Sequence, residues 1–250
     1  MPVLNVNGRR VHYQEMNKGA SNSVVLIHGM LGNLAVYYFR IAPLLAEYFH
    51  VVLYDLKSHG MSEEVEDGYD LESMSDDLVG LMDALELRRA HLAGYSFGAL
   101  IAIKAAIRFP DRFERLAIIE GPDPRDEEPL RVMMEYSKEA FDQWIGASGM
   151  SMGRRQLDRH HRMYAFIFQQ TSMQSDVQKE KEFFLSDEVA AIGHRTLLLY
   201  GRNSDCVPAG YLLERRMIKV QLKLISGDHN IPVQEPELVA DALIDHFSDK

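Results

Sequence analysis

Two serines in this chain have a glycine two residues away on each side: Ser96 in "GYSFG" (Gly94 to Gly98) and Ser151 in "GMSMG" (Gly149 to Gly153). A serine flanked in this way can sit on a tight turn with its hydroxyl outward, because the glycines remove the Cβ atoms that would clash there. A hydroxyl by itself is a poor nucleophile. It becomes reactive when a histidine takes its proton and a carboxylate orients that histidine. The five-residue pattern is too short to choose between the two serines, so their settings must.

Ser96 follows the apolar run Ala90–Ala93 directly and precedes an alanine-rich helical pattern over Ala99–Arg108. A buried strand running into a helix through one sharp turn lifts the intervening side chain above a sheet. Ser151 is preceded by "QWIGASG", which is no strand, and reads as a turn between helices. Ten histidines compete for the role of base. His229, in "LISGDHNIPVQEPE", comes just after the last strand pattern and before the last helix, on the edge where parallel strands end. Ser96 belongs to the same edge. His50 and His91 begin strands, on the opposite edge, and His28 reads as a residue shaping the loop after its strand. The neighbours His160 and His161 point in different directions on a helix and form a solvated face rather than a ligand pair.

The elements that must position these groups follow from periodicity. "VLNVNGRRVHYQE" alternates around Asn7-Gly8, a dipeptide suited to a type I′ turn, and predicts a β-hairpin. Apolar, β-branched runs at Val24–Ile27, Val51–Tyr54, Ala90–Ala93, Leu116–Ile119, Thr196–Tyr200 and Val220–Ile225 predict strands buried on both faces. Helical patterns at Leu34–Tyr48, Leu71–Leu85, Ala99–Arg108, Ala209–Met217 and Pro236–Phe247 alternate with them. The expectation is an α/β fold: a mostly parallel central sheet of about eight strands with helices on both faces. From Pro122 to His194, about seventy residues carry helical patterns and no convincing strand, too long for a loop. They predict a helical cap, residues 122–194, inserted between the sixth and seventh strands of a core formed by residues 1–121 and 195–250.

Composition narrows the function classes. A chain of 250 residues with 46% hydrophobic and 26% charged residues can bury one large core. Its formal charge of −10 and scattered basic residues leave no footprint for nucleic acid. No apolar run reaches the ~18–20 residues of a membrane span, and the opening residues lack a signal-like run, so a cytoplasmic protein without membrane attachment is expected. The single cysteine, Cys206, excludes an internal disulfide. No Cys/His spacing suggests a metal, and no cofactor is expected.

With "HGMLG", "YDLKSHGMS", "GYSFG" and a late "GDH" in this order, the chain resembles the α/β-hydrolase superfamily over essentially its whole length. The resemblance implies Ser96 as nucleophile, His229 as base, and an oxyanion hole from the backbone N–H groups of Phe97 and Met30. It also implies that Asp55 and Ser62 order a loop, in which Lys57 and Ser58 replace the usual Arg and Gly.

The acid departs from the commonest family pattern. In "GRNSDCVP" (Gly201 to Pro208), a gap-free reading puts Ser204 in the acid's place and Asp205 one residue late. A minority branch takes its acid from the end of the sixth strand, where "RLAIIEGP" offers Glu120. A carboxylate ending an apolar strand is costly to bury unless it has a task. Glu120 is favoured and Asp205 is the alternative, with Ser204 supporting the His229–Glu120 pair by a hydrogen bond.

A serine in this setting implies acyl transfer: hydrolysis of an ester, thioester or lactone, without the alkyl-enzyme chemistry of relatives that carry Asp there. Trp144, Phe168 and Tyr95 are expected to bind substrate, the first two from an apolar, Met-rich cap that suits an apolar acyl group. The cluster of Arg154, Arg155, Arg159, His160, His161 and Arg162 offers itself to a carboxylate, the phosphopantetheine arm of a CoA thioester or an acidic acyl carrier protein, against the simpler reading of a solvated helix face. Two alternatives stay open. One is a lyase or carbon–carbon bond hydrolase on the same triad, and the other is a non-enzymatic small-ligand sensor.

Overall fold

The computed structural model describes residues 2–126 and 153–248. The opening hairpin pairs β1 (Val3–Val6) with β2 (Arg9–Met16), and Asn7 and Gly8 at its tip have φ of 53° and 84°, the two positive angles a type I′ turn needs. The other strands are β3 (Ser23–Ile27), β4 (His50–Tyr54), β5 (Ala90–Tyr95), β6 (Phe113–Ile119), β7 (Arg195–Gly201) and β8 (Val220–Ile225). They complete one eight-stranded sheet in the order β1-β2-β4-β3-β5-β6-β7-β8, parallel from β4 through β8.

Burial on both faces accounts for the apolar runs. In β3, Val25 and Ile27 join a core cluster on one face while Val24 and Leu26 join the cluster on the other. The first cluster is covered by α3 (Leu71–Ala84) and α4 (Phe97–Arg108), the second by α1 (Ala35–Tyr38) and α2 (Ile41–Leu45). Leu34–Tyr48 is therefore two short helices rather than one. Pro43 has no N–H to donate, so a helix can hold it only in its first turn, and the chain restarts at Ile41 to place it there.

Between β6 and β7 the described residues form α5 (Arg154–Gln170), α6 (Met173–Lys179) and α7 (Asp187–Ala190), with no strand among them. This segment packs Tyr164, Ile167, Phe168, Met173, Phe183 and Phe184 into the first core cluster. Backbone Ser172 N–H donates to Glu66 O (2.8 Å), and Tyr69 N–H donates to the carboxylate of Asp176 (3.1 Å). The segment is thus tied to the loop that follows β4. Trp144 and Ser151 lie outside the described residues. The chain closes with α8 (Val207–Arg216), α9 (Ile231–Gln234) and α10 (Pro236–Phe247).

Candidate active site

Parallel strands bring their C-terminal ends to one edge, and the chemistry collects there. Ser96 follows β5 with φ 53° and ψ −119°, a conformation that non-glycine residues rarely adopt. The flanking glycines make it feasible. A Cβ on Gly94 would lie 2.1 Å from the carbonyl oxygen of Gly98, and a Cβ on Gly98 would lie 2.6 Å from the carbonyl oxygens of Ile27 and His28. The Ser96 turn is wedged between two strands and a helix, with no room for a side chain at either shoulder.

Glu120 occupies the corresponding position one strand over. It follows β6, has φ 52° and is wholly buried. Its carboxylate accepts from the backbone N–H of Gly201 and from the Ser204 hydroxyl. Tyr200 donates its hydroxyl to Gly121 O (2.9 Å), fixing the same turn. These donors satisfy a carboxylate that would otherwise be expensive to bury.

His229 stands in the loop between β8 and α9, ordered by Asp228, whose carboxylate accepts from Asn230 N–H (2.8 Å). Its Nε2 lies 3.0 Å from Ser96 Oγ and its Nδ1 lies 3.3 Å from Glu120 Oε2. Tyr95 donates its hydroxyl to the His229 carbonyl (3.0 Å), with the two rings 5.4 Å apart. Burial raises the Tyr95 pKa, so this hydroxyl stays a donor. Burial pulls the His229 pKa down, but its hydrogen bonds to Cys206 and Glu120 outweigh that and raise it to about 10.

The groups expected to bind an oxyanion flank the same serine. Phe97 opens α4, so its N–H is among the first-turn donors without an intrahelical acceptor. Gly29, next to Met30, comes so near that a Cβ there would lie 2.9 Å from Ser96 Cβ. His28 and His59 shape this loop. Leu56 N–H donates to His28 Nε2 (3.0 Å) and Leu31 N–H donates to His59 Nε2 (3.1 Å). Burial lowers both pKa values, that of His59 to about 3, so both rings stay neutral acceptors. Asp55 accepts from Leu34 N–H (2.8 Å) and Met61 N–H (2.9 Å), and Ser62 donates to Asp55 O (2.7 Å), the loop-ordering contacts expected of them.

Serine, imidazole and carboxylate in line can deprotonate a hydroxyl, and the first-turn N–H of Phe97 beside them can receive a developing negative charge. A model of the alpha/beta hydrolase fold matches residues 22–166, more than half of the chain. The chain belongs to this family.

Among the relatives of this alpha/beta hydrolase, a protein of Caulobacter vibrioides described as the putative carbamate hydrolase RutD is 27% identical over 267 aligned residues. The match covers 98% of this chain and 97% of the relative. Among solved structures, a serine hydrolase from the polyaromatic-hydrocarbon-degrading Cycloclasticus zankles matches with a TM-score of 0.84 at 19% identity, over 100% of this chain and 99% of that one. An enol-lactonase from Burkholderia xenovorans LB400 gives 0.74 at 23% identity, over 98% and 99%. At such identities the two structures speak for the fold.

The hydrolase brings together Ser96, His229, Glu120 and Ser204, and leaves Asp205 exposed at the start of the turn into α8. Tyr95, expected to touch substrate, has its hydroxyl committed to the His229 carbonyl. Phe168 is buried and stacks on Tyr164 at 4.7 Å. The four arginines of the cluster on α5 are exposed.

Sequence reasoning missed the place of Cys206. Its Sγ lies 3.4 Å from His229 Nδ1, so that Glu120, Cys206 and His229 offer ligand atoms all within 4.8 Å of one another. No motif spacing signals this, because the three residues come from three different strand-end loops. The sole available cue was that Cys206 stands two residues after Ser204, which already carried a suspected tie to the acid.

Proposed function

We propose that this protein is a serine hydrolase that cleaves a carboxylic ester, thioester or lactone through an acyl-enzyme on Ser96. The observation that carries the reading is the continuous contact from Ser96 Oγ through His229 to Glu120 Oε2. His229 Nε2 takes the proton as Ser96 Oγ attacks the carbonyl carbon. Glu120 steadies the imidazolium, and the N–H groups of Phe97 and Met30 receive the negative charge on the former carbonyl oxygen. His229 then protonates the leaving group. Water, deprotonated by the same imidazole, releases the acid and restores Ser96.

The β6–β7 insertion acts as a cap over this edge and favours apolar acyl groups, with Phe168 in its packed wall and Trp144 elsewhere in the same segment. A simple ester, a CoA thioester or a thioester held on an acyl carrier protein would each present an acyl carbonyl to Ser96. The whole-chain relatives described as putative carbamate hydrolases favour one further substrate, a carbamate, whose carbonyl can be attacked in the same way.

A fluorophosphonate probe should label the protein at Ser96, and a panel of p-nitrophenyl esters of rising chain length, acyl thioesters, lactones and carbamates should define the acyl group. Turnover of none of them, with no labelling, would sink the reading in favour of a lyase or a sensor.

A further inference from the structure

We propose that Glu120, Cys206 and His229 form an inhibitory site for a zinc-class divalent cation on the side of the imidazole away from Ser96. The donor set is a carboxylate oxygen, a sulfur and an imidazole nitrogen, the ligand types zinc prefers. The inhibitory consequence rests on the hydrolase reading above; the binding does not.

Geometry carries the argument. With metal–ligand distances of about 2.0 Å to nitrogen and oxygen and 2.3 Å to sulfur, tetrahedral angles require ligand separations of about 3.3 Å (N to O) and 3.5 Å (N to S). The protein sets His229 Nδ1 3.3 Å from Glu120 Oε2 and 3.4 Å from Cys206 Sγ. The carboxylate oxygen and the sulfur lie within 4.8 Å of each other, against about 3.5 Å in a tetrahedral site, so a rotation of the half-buried Cys206 side chain would seat three ligands, with water as a fourth. The carboxylate is already oriented by Gly201 N–H and the Ser204 hydroxyl. Glu120 is wholly buried, but Cys206 and His229 are half-buried, which gives an ion its approach.

Binding at Nδ1 changes the chemistry at Nε2. In the working state Nδ1 carries the imidazole proton and Nε2 is free to accept from Ser96. A cation on Nδ1 takes that lone-pair position, so the ring proton moves to Nε2, and the thiol proton leaves to solvent. Binding to the neutral imidazole releases one proton, that of the thiol, and affinity rises with pH. Nε2 then donates to Ser96 Oγ and cannot deprotonate it. The same ion occupies the negative charge of Glu120 that the imidazolium needs. The base is switched off by its tautomer.

Three measurements on the untagged full chain test this. Cobalt(II) chloride titrated into the metal-free protein should give one equivalent of binding with a near-ultraviolet thiolate-to-cobalt charge-transfer band. Zinc chloride should displace it. Ser96→Ala should keep the band, while Cys206→Ala should lose it and Glu120→Gln should bind at least about tenfold more weakly. On a short-chain ester, zinc should inhibit the wild type at least about tenfold, reversibly with EDTA. Cys206→Ala should lose that sensitivity when each rate is divided by its own zinc-free rate. Circular dichroism of the variants checks that they are folded. A wild type without a one-equivalent band, or a folded Cys206→Ala variant that keeps it, overturns the proposal. If the band is present but the metal-free protein turns over no substrate, the cation site stands and the hydrolase reading fails.

Discussion

The strand-end edge and the β6–β7 insertion are both packed onto the same sheet, yet they are held in different ways. At the edge, Ser96 and Glu120 sit one residue beyond adjacent strands, each with positive φ, and the ladder fixes them: Ser96 N–H donates to Ile119 O (2.9 Å) and Glu120 N–H to Leu199 O (3.0 Å). Strained backbone persists where its surroundings over-determine it, and such positions cluster where chemistry occurs. The insertion is held mainly by side chains: aromatic residues in the core and the buried carboxylate of Asp176, which receives Tyr69 N–H, with a main-chain bond from Ser172 N–H to Glu66 O (2.8 Å) beside them. Backbone-fixed positions suit a reaction that tolerates little displacement. Side-chain attachment leaves a segment more room to repack, as the proposed cap role needs.

If that contrast is right, the largest loss comes at the edge from a change that disturbs no packing. Ser96→Ala should lower kcat by about 10⁴–10⁶-fold while the thermal midpoint stays within about two degrees, measured by ester turnover and a melting curve. Retained fluorophosphonate labelling in this variant would move the nucleophile elsewhere.

Glu120→Gln comes next, with kcat down by about 10³-fold and KM little changed. It also carries a pH signature. His229 works only when neutral, above its own pKa, and the Glu120 carboxylate helps hold that pKa above the ordinary imidazole range. Removing the charge lowers the pKa, so the acid limb of kcat/KM should move to lower pH as the rate falls. A limb that stays in place or moves to higher pH shows that Glu120 does not face the working imidazole.

These two residues also mark how far the sequence is readable. The strands, the serine turn and the late histidine are local signals: an apolar run, two glycines at fixed spacing, a loop after the last strand. Glu120 is legible because a carboxylate ending an apolar strand demands a partner. The Leu34–Tyr48 pattern misleads because periodicity does not register the missing N–H of Pro43, whereas sterics do. Cys206 is silent because its contact with His229 joins residues 23 positions apart from different loops. The attachments of the insertion, Asp176 to Tyr69 and Ser172 to Glu66, depend on tertiary docking that no short pattern encodes.

Gly98→Ala tests the backbone side of the contrast. The new Cβ would lie 2.6 Å from two carbonyl oxygens, both main chain, so strand β3 or helix α4 must shift. Overpacking of this kind costs about 1–3 kcal/mol, which lowers the melting temperature by several degrees in a chain of this size. Because Ser96 rides on the same turn, activity should fall at least about tenfold on every ester alike. A variant that melts lower but hydrolyses normally would mean the turn has slack.

The insertion should answer differently. Asp176→Asn keeps the shape but weakens the acceptor for Tyr69 N–H and removes the pairing with Lys179. The expected result is a change of about three- to tenfold in preference between long and short acyl esters, with the acetate rate nearly constant, because a short ester needs only the edge. Equal losses across the series would show that the insertion matters only through stability.

The smallest effect is expected at Asp205, and it sharpens the comparison from inside the edge itself. Asp205 shares a loop with Ser204 and Cys206, yet it is exposed and no hydrogen bond or ion pair to its carboxylate occurs among the described residues. It does not follow a strand directly and no ladder bond fixes it. If positioning by strand ends governs the chemistry, nearness in sequence to the active loop should count for little. Asp205→Asn should then change kcat by less than about threefold, through no more than a small adjustment of charge near His229. Measured beside Glu120→Gln on the same ester at alkaline pH, the two substitutions should differ by at least two orders of magnitude. Should Asp205→Asn prove the more damaging, the acid would lie on the loop after β7, and the strained backbone at Glu120 would need a purely structural account.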